Sequence, residues 1–191
     1  NGVWRDASWD EALDAAADAL KTAAPAQLGF LGHPASSNEE GFMLARLAQA
    51  LGTGNIDHRI KQLDFADNAV AEAFDIPVSE IVNVGDIVLV GCNIRHELPL
   101  VHQRIHKAVK RGAKVIVINP VDFDFTFAVT EKHIVPPSKM AAQLNAIAGS
   151  VGDDALLILG EIAETHQAAS HIRAAANALR NAGKVKLCRI P

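Results

Sequence analysis

The sequence predicts an α/β domain: a mostly parallel sheet with helices on both faces. Three observations point there. Short apolar runs, among them "IVLVG", "KVIVI" and "LLILG", alternate with longer amphipathic stretches. The runs are continuous rather than alternating, as strands buried on both faces require. Three of them end in glycine ("GFLG", "VLVG", "LILG") where a strand would turn into a helix. Such alternation argues for about five or six parallel strands joined by right-handed crossovers.

The elements follow in order. "SWDE" at Ser8–Glu11 is a capping box, a hydroxyl for an orphan amide and a glutamate three residues on. Leu13, Ala16, Ala17 and Leu20 then give the first helix one apolar face. "QLGFLG" reads as a short buried strand. "PASSNEE" opens a second helix with serines and then carboxylates at its positive end, and "LGTGN" closes it with glycine. "FADNAVAEAF" is expected to be helical, and "PVSEIVNVG" a short helix or turn. A strand over Ile87–Gly91, a helix over Pro99–Arg111 with proline in its first turn, and a strand over Lys114–Ile118 come next. "VDFDFTF" reads as loop, "HIVP" as a short strand, and "SKMAAQLNAIAG" as a serine-capped helix. A strand over Leu156–Gly160, a helix over His166–Asn181 and a strand over Lys184–Ile190 end the pattern. A faint internal echo runs through it: eleven and thirteen residues after Gly91 and Gly160 stand a histidine and an arginine (His102 and Arg104, His171 and Arg173).

Composition narrows the function. The 191 residues suffice for one compact domain, taken here as 1–191. A net charge of -4 gives no electrostatic footprint for nucleic acid or anionic lipid. Two cysteines, Cys92 and Cys188, can neither staple a disulfide framework nor hold an iron–sulfur cluster unaided. No apolar run reaches membrane-spanning length, so no direct membrane insertion is expected. The chain opens at Asn1 and stops at Pro191 directly after an apolar strand, and it reads as a piece of a longer protein.

Gly32, Gly91 and Gly160 fall where open α/β sheets bind ligands, at strand carboxyl ends. Yet the turn "GCNIRHELP" lacks the G-x-G-x-x-G fingerprint, and no Walker A motif exists. A self-sufficient nucleotide site is not expected. His102 and His106 stand at i and i+4, a spacing that can pair imidazoles on a metal. They flank the apolar stripe Val101–Ile105, so solvated border histidines are the expectation. Cys92 follows a strand, with His96 as a candidate base. A small buried hydrophobe is the simpler reading.

The order "NGVWRDASWDEALDAAADAL", "LGFLGHPASSNEEGFMLARLAQALGTGNIDHR", "DIVLVGCNIRHELPLVHQRIHKAVKRGAKVIVINP" resembles the molybdopterin oxidoreductase family over nearly the whole chain. "HRIKQLDF" and "LLILGEIAETHQAASHI" resemble most its branch of large G subunits from the bacterial respiratory complex that oxidises NADH. The resemblance implies a three-layer, Rossmann-like domain. Active members clamp two pterin guanine dinucleotides around molybdenum or tungsten. They place a metal ligand a few residues after the stretch matching "NIDHR". Here that stretch continues Ile60, Lys61, Gln62, Leu63, Asp64, Phe65, and Leu63 aligns with the ligand. Leucine binds no metal; adjacent Asp64 is the substitute that an active reading would need. Active members also show aspartate-proline-arginine where this chain has Asn119, Pro120 and Val121. The resemblance therefore implies a domain with no catalytic residues, no metal and no cofactor of its own, its vestigial cleft marked by Gly32, Gly91, Asn93 and Asn119. Iron–sulfur clusters would lie elsewhere in the parent subunit. Its partners would be the other domains of that subunit and other peripheral-arm subunits, on the cytoplasmic side of the bacterial inner membrane. The competing expectation is a fragment of an active, formate-dehydrogenase-like molybdenum or tungsten enzyme. A stand-alone nucleotide-binding module is a more distant third.

Overall fold

The computed structural model describes residues 2–33, 35–59 and 63–190. The chain divides into two compact units, Asn1–Gln62 and Leu63–Pro191.

The first unit holds two helices and a minimal sheet. Helix α1 spans Trp9–Thr22, strand β1 Phe30–Leu31, helix α2 Asn38–Ala50 and strand β2 Ile56–Asp57. The Ser37 hydroxyl accepts from the Glu40 amide while the Glu40 carboxylate accepts from the Ser37 amide, a complete capping box. At α1 only half of the box forms. Ser8 accepts from the Glu11 amide, but the Glu11 carboxylate turns to Arg5. Strands β1 and β2 pair in parallel, Phe30 with Ile56 and Leu31 with Asp57.

The second unit is the sheet that the sequence predicts. Strands β3 (Asp86–Val90), β4 (Lys114–Asn119), β5 (Glu131–Ile134), β6 (Ala155–Leu159) and β7 (Val185–Arg189) lie in the order β5-β4-β3-β6-β7. Every pairing is parallel. The connecting helices are α3 (Ile94–Glu97), α4 (Pro99–Lys110), α5 (Met140–Ile147), α6 (Glu161–Glu164) and α7 (Ala169–Asn181). Successive side chains of a strand point to opposite faces, and both faces are buried. Val88, Val90, Ile116, Leu157 and Leu159 pack under α5 and α7. Ile87, Leu89, Val117, Leu156 and Ile158 pack under α4 and a 3-10 segment, Val78–Asn83. This is a three-layer α/β arrangement. It explains why the central strands β3, β4 and β6 read as nearly unbroken apolar runs, whereas the edge strand β5 is mostly exposed. The internal echo falls on two strand–short helix–helix–strand units, β3 to β4 and β6 to β7, separated by β5 and α5.

Four expectations of local structure fail. The strand in "QLGFLG" is only Phe30–Leu31, and it is not buried, since Leu31 is 61% exposed. "SKMAAQLNAIAG" is not serine-capped: Ser138 lies in a 3-10 turn, Pro137–Lys139, and the helix starts at Met140 without a side-chain cap. "FADNAVAEAF" is not helical: residues 65–74 have no regular structure beyond a turn at Ala66–Asp67. Its carboxylates face arginines on α7, more than 100 residues away in sequence, and these tertiary ion pairs override helix propensity. The helix expected from His166 starts at Ala169, because the His166 imidazole accepts the Ala168 amide and holds a turn there. No described helix is long and apolar enough to cross a membrane.

Candidate functional site

In an open parallel sheet, ligands enter the crevice at the carboxyl ends of the strands, where strand order reverses. Here the chain runs outward from β3 in one direction and from β6 in the other, so that crevice lies between β3 and β6. It is a shallow pocket of about 310 Å³, lined by Asn93, His96, Glu97, Phe123, Glu161 and Ile162.

The pocket's amide donors already have an anion. The Glu97 carboxylate accepts from the Asn93 amide and, at 2.9 Å, from the Glu161 amide. These two amides open α3 and α6, the positions where a phosphate oxygen would seek partners. Three of the vestigial-cleft residues meet here, and the protein itself uses each of them. The Asn93 amide is the donor to Glu97. The Asn119 side chain is fully buried, with Oδ1 accepting the Cys92 amide at 2.7 Å and Nδ2 donating to the Cys92 carbonyl at 3.0 Å. Gly91 takes the left-handed conformation, φ +56°, and a Cβ there would lie 2.5 Å from the Ala163 amide nitrogen. Gly160 has a similar constraint: a Cβ would lie 2.4 Å from Cys92 Cα. Backbone approaches backbone at both strand ends, so glycine serves internal packing. Gly32 ends β1 in the first unit, where a Cβ would find ordinary contacts of 3.6 Å or more. Val121, which stands where active relatives would place a cation, is about half exposed in the loop after β4.

Cys92 is buried, and burial followed by the nearby Glu97 carboxylate pushes its thiol well above the usual range. Its sulfur lies 3.7 Å from Glu97 Oε2; the candidate base His96 is not its hydrogen-bond partner. A protonated thiol is a poor nucleophile. The expectation of solvated border histidines holds only for His106. His102 is buried against Phe127, with ring centroids 5.0 Å apart. Both histidines meet the Thr126 hydroxyl, at 3.5 Å from His102 and 3.1 Å from His106. Burial lowers the His102 pKa, with Arg95 and His106 adding to it. Among the described residues no cluster of three or more His, Cys, Asp or Glu side chains could hold a metal.

The metal-ligand position is where the sequence was most specific. Ile60, Lys61 and Gln62 lie outside the described residues. Leu63 offers no donor atom. The Asp64 carboxylate is engaged on both oxygens: Oδ1 accepts the Ala66 amide at 3.0 Å, and Oδ2 accepts the Ser170 amide at 2.8 Å and the Ser170 hydroxyl at 2.5 Å. Ala168, the residue at the start of α7, provides no side-chain cap. Asp64 supplies that cap from 106 positions upstream, and its charge suits the helix's positive end.

Arg173 fixes the same segment. It is 2% exposed and reaches Asp67 through two bonds of 2.7 Å, Glu164 at 3.1 Å and the Asp64 carbonyl at 2.5 Å. Buried Glu164 also holds Arg189, at 2.7 and 3.0 Å. Further along, Arg180 pairs with Glu72 and Asp75, and Asp75 accepts the Leu187 amide. Sequence reasoning missed Glu97 and this network. One signal was present: Arg173 stands four residues from Ala169 and three from Ala176, on the buried face of α7. A charge in an apolar stripe calls for a buried partner.

Asp64 yields a pH prediction. Its hydrogen bonds, first those from Ser170, lower its pKa to about 2, against about 3.9 in an unfolded chain. A depressed carboxylate stabilises the fold above its unfolded value, and that contribution fades as pH falls toward the folded one. Wild-type stability should therefore drop between about pH 4 and pH 2, and Asp64→Asn should flatten part of that drop. Urea unfolding across this window measures it. Parallel curves for wild type and variant would contradict the assignment.

A family model for molybdopterin oxidoreductase matches residues 1–187. The chain belongs to that family. Among curated relatives, it is 30% identical over 127 residues to the alpha subunit of F420-dependent formate dehydrogenase 1 of Methanococcus maripaludis, covering 63% of this chain and 19% of the relative. It is 29% identical over 116 residues to the G subunit of NADH-quinone oxidoreductase of Rickettsia felis, covering 59% and 17%. For the corresponding protein of Rickettsia conorii the figures are 31% over 113 residues, 58% and 16%. The chain thus spans less than a fifth of the length of these relatives.

The described residues do not fit a metal–pterin centre. Leu63 lacks a donor, Asp64 caps α7, and the crevice amides are taken by Glu97.

Proposed function

We propose that residues 1–191 are a non-catalytic structural domain of a G subunit of NADH-quinone oxidoreductase. The domain supports the neighbouring regions through which iron–sulfur clusters pass electrons from NADH toward quinone. Its partners are the other domains of the subunit and the adjoining peripheral-arm subunits, on the cytoplasmic side of a bacterial inner membrane. Similarity alone does not separate this reading from a formate dehydrogenase, since both kinds of relative match at about 30% identity. One observation carries the choice: beside a leucine at the aligned ligand position, the adjacent carboxylate is engaged in capping α7. A metal there would have to break the cap and would lack the ordered surrounding shell such centres need.

The competing reading is an active molybdenum or tungsten enzyme, with Asp64 as ligand. The 30% identity to a formate dehydrogenase alpha subunit favours it. Asp64→Asn in the intact subunit separates the two. A scaffold keeps NADH-to-quinone electron transfer per folded molecule unchanged and loses only stability. If the wild-type subunit reduces a viologen dye with formate, and the variant loses that activity while folded, the scaffold reading fails.

A further inference from the structure

We infer that the outer face of α4 is a docking surface for an acidic face of another polypeptide in the parent assembly. The inference deepens the proposed function and rests on its reading of the chain as part of a multi-subunit complex.

The sequence gathers the charge and the helix sorts it. From Leu98 to Val121 there are five Lys and Arg and no Asp or Glu, in a chain whose net charge is -4. Val101, His102, Ile105 and Ala108 are the buried residues of α4 and face its own sheet. Gln103, Lys107 and Lys110 stand on the opposite side, at i, i+4 and i+7, with Arg104 beside them. Exposed Lys114 follows at the start of β4.

These cations differ from most others of the second unit. Lys132, Arg173, Arg180, Lys184, Lys186 and Arg189 each hold a carboxylate of the chain itself. Among the described residues no carboxylate pairs with Arg104, Lys107, Lys110 or Lys114. Like charges three and four residues apart on a helix repel, so this ridge carries a repulsion that nothing in its own unit relieves. Leu100, 75% exposed, stands four residues before Arg104 and adds an apolar contact to the same side. An apolar residue rimmed by charge is the composition of a protein interface.

A protein partner fits this face better than a polyanion does. The chain carries 22 acidic against 18 basic side chains, and that field repels nucleic acid and anionic bilayers. The helix also has no Phe, Trp or Tyr to stack on a base or to sit at a lipid headgroup. A partner helix with carboxylates three and four residues apart would meet Arg104, Lys107 and Lys110 at matching intervals.

The test uses the parent complex, isolated intact at low salt. A carbodiimide joins lysine amines to carboxylates in direct contact, and mass spectrometry maps the bonds. Lys107, Lys110 or Lys114 should be joined to Asp or Glu of another polypeptide. When the subunit is recombined with the polypeptide so identified, Lys107→Glu with Lys110→Glu should weaken binding at least about tenfold. Lys184→Glu with Lys186→Glu makes the same change of charge where the chain supplies its own carboxylates, and should bind within about twofold of wild type. If a double variant fails to fold, the bonds formed in the unsubstituted complex decide alone. The inference is overturned if these lysines join no carboxylate, or only carboxylates of this same chain, residues 1–62 included. It is equally overturned if the two folded variants bind alike, or if vesicles containing phosphatidylglycerol, and no protein, capture the subunit through α4. Formate-dependent dye reduction would remove the proposed function and leave the mapped bonds standing, so the two readings fail separately.

Discussion

Replacing Arg173 with alanine should lower the stability of this protein by about 3–5 kcal/mol, because removing one member of a buried ion pair strands its partners without compensation. Arg173 is 2% exposed and serves three groups at once: Asp67, Glu164 and the Asp64 carbonyl. Without it, Glu164 remains buried with Arg189 alone, and the segment after Leu63 loses its main anchor on α7. For a chain of this size, such a loss lowers the melting midpoint by on the order of 10 °C. Arg173→Lys should recover little, since an ammonium cannot reproduce the planar fork that grips Asp67 through two nitrogens. Arg5→Ala, which removes the exposed pairing with Glu11, should scarcely move the midpoint. Thermal unfolding of the three variants decides. An Arg173→Ala protein melting with wild type would show that the network does not hold the segment.

Gly91→Ala should be the second severe substitution, at about 2–5 kcal/mol, combining left-handed strain with overpacking. The added methyl would approach the Ala163 backbone, which cannot swing aside like a flexible side chain. Gly112 provides the comparison. Its φ is +101°, yet a Cβ there meets nothing within 4 Å. Gly112→Ala should therefore carry the strain without the clash, at about 1–2 kcal/mol. Chemical denaturation of both variants separates the contributions. Equal losses at the two positions would mean that the close approach of β3 to α6 has no energetic consequence.

What could be read in the sequence, and what could not, follows from the range of the forces involved. β3, β4 and β6 were legible because burial on both faces leaves a nearly continuous apolar run, and β7 because Val185, Leu187 and Cys188 are buried between Lys186 and Arg189. The serine start of α2 was legible because the Ser37 hydroxyl and the Glu40 amide lie three residues apart, whereas the capping box expected at Ser8 forms only by half because Glu11 turns to Arg5. Residues 65–74 were misread as helix because Asp67 and Glu72 find their arginines on α7, and no local window contains both halves of such a bond. His102 was expected in solvent because its neighbours on α4 border the apolar stripe; Phe127, from a loop beyond β4, covers it. The candidate site divides in the same way. The departures at Leu63 and Val121 are visible in the chain itself. That Asp64 caps α7, and that Glu97 occupies the crevice amides, required the fold that brings residues 97 and 161, or 64 and 170, together.

The central claim is that this domain keeps the frame of a metal–pterin enzyme without its centre. Elemental analysis of the intact subunit tests it most directly, on protein purified from cells that make molybdenum cofactor and are supplied with molybdate and tungstate. The account predicts trace molybdenum and tungsten only, beside iron from the clusters of the parent subunit. Near-stoichiometric molybdenum or tungsten, released together with pterin, would contradict it and would make Asp64 the ligand.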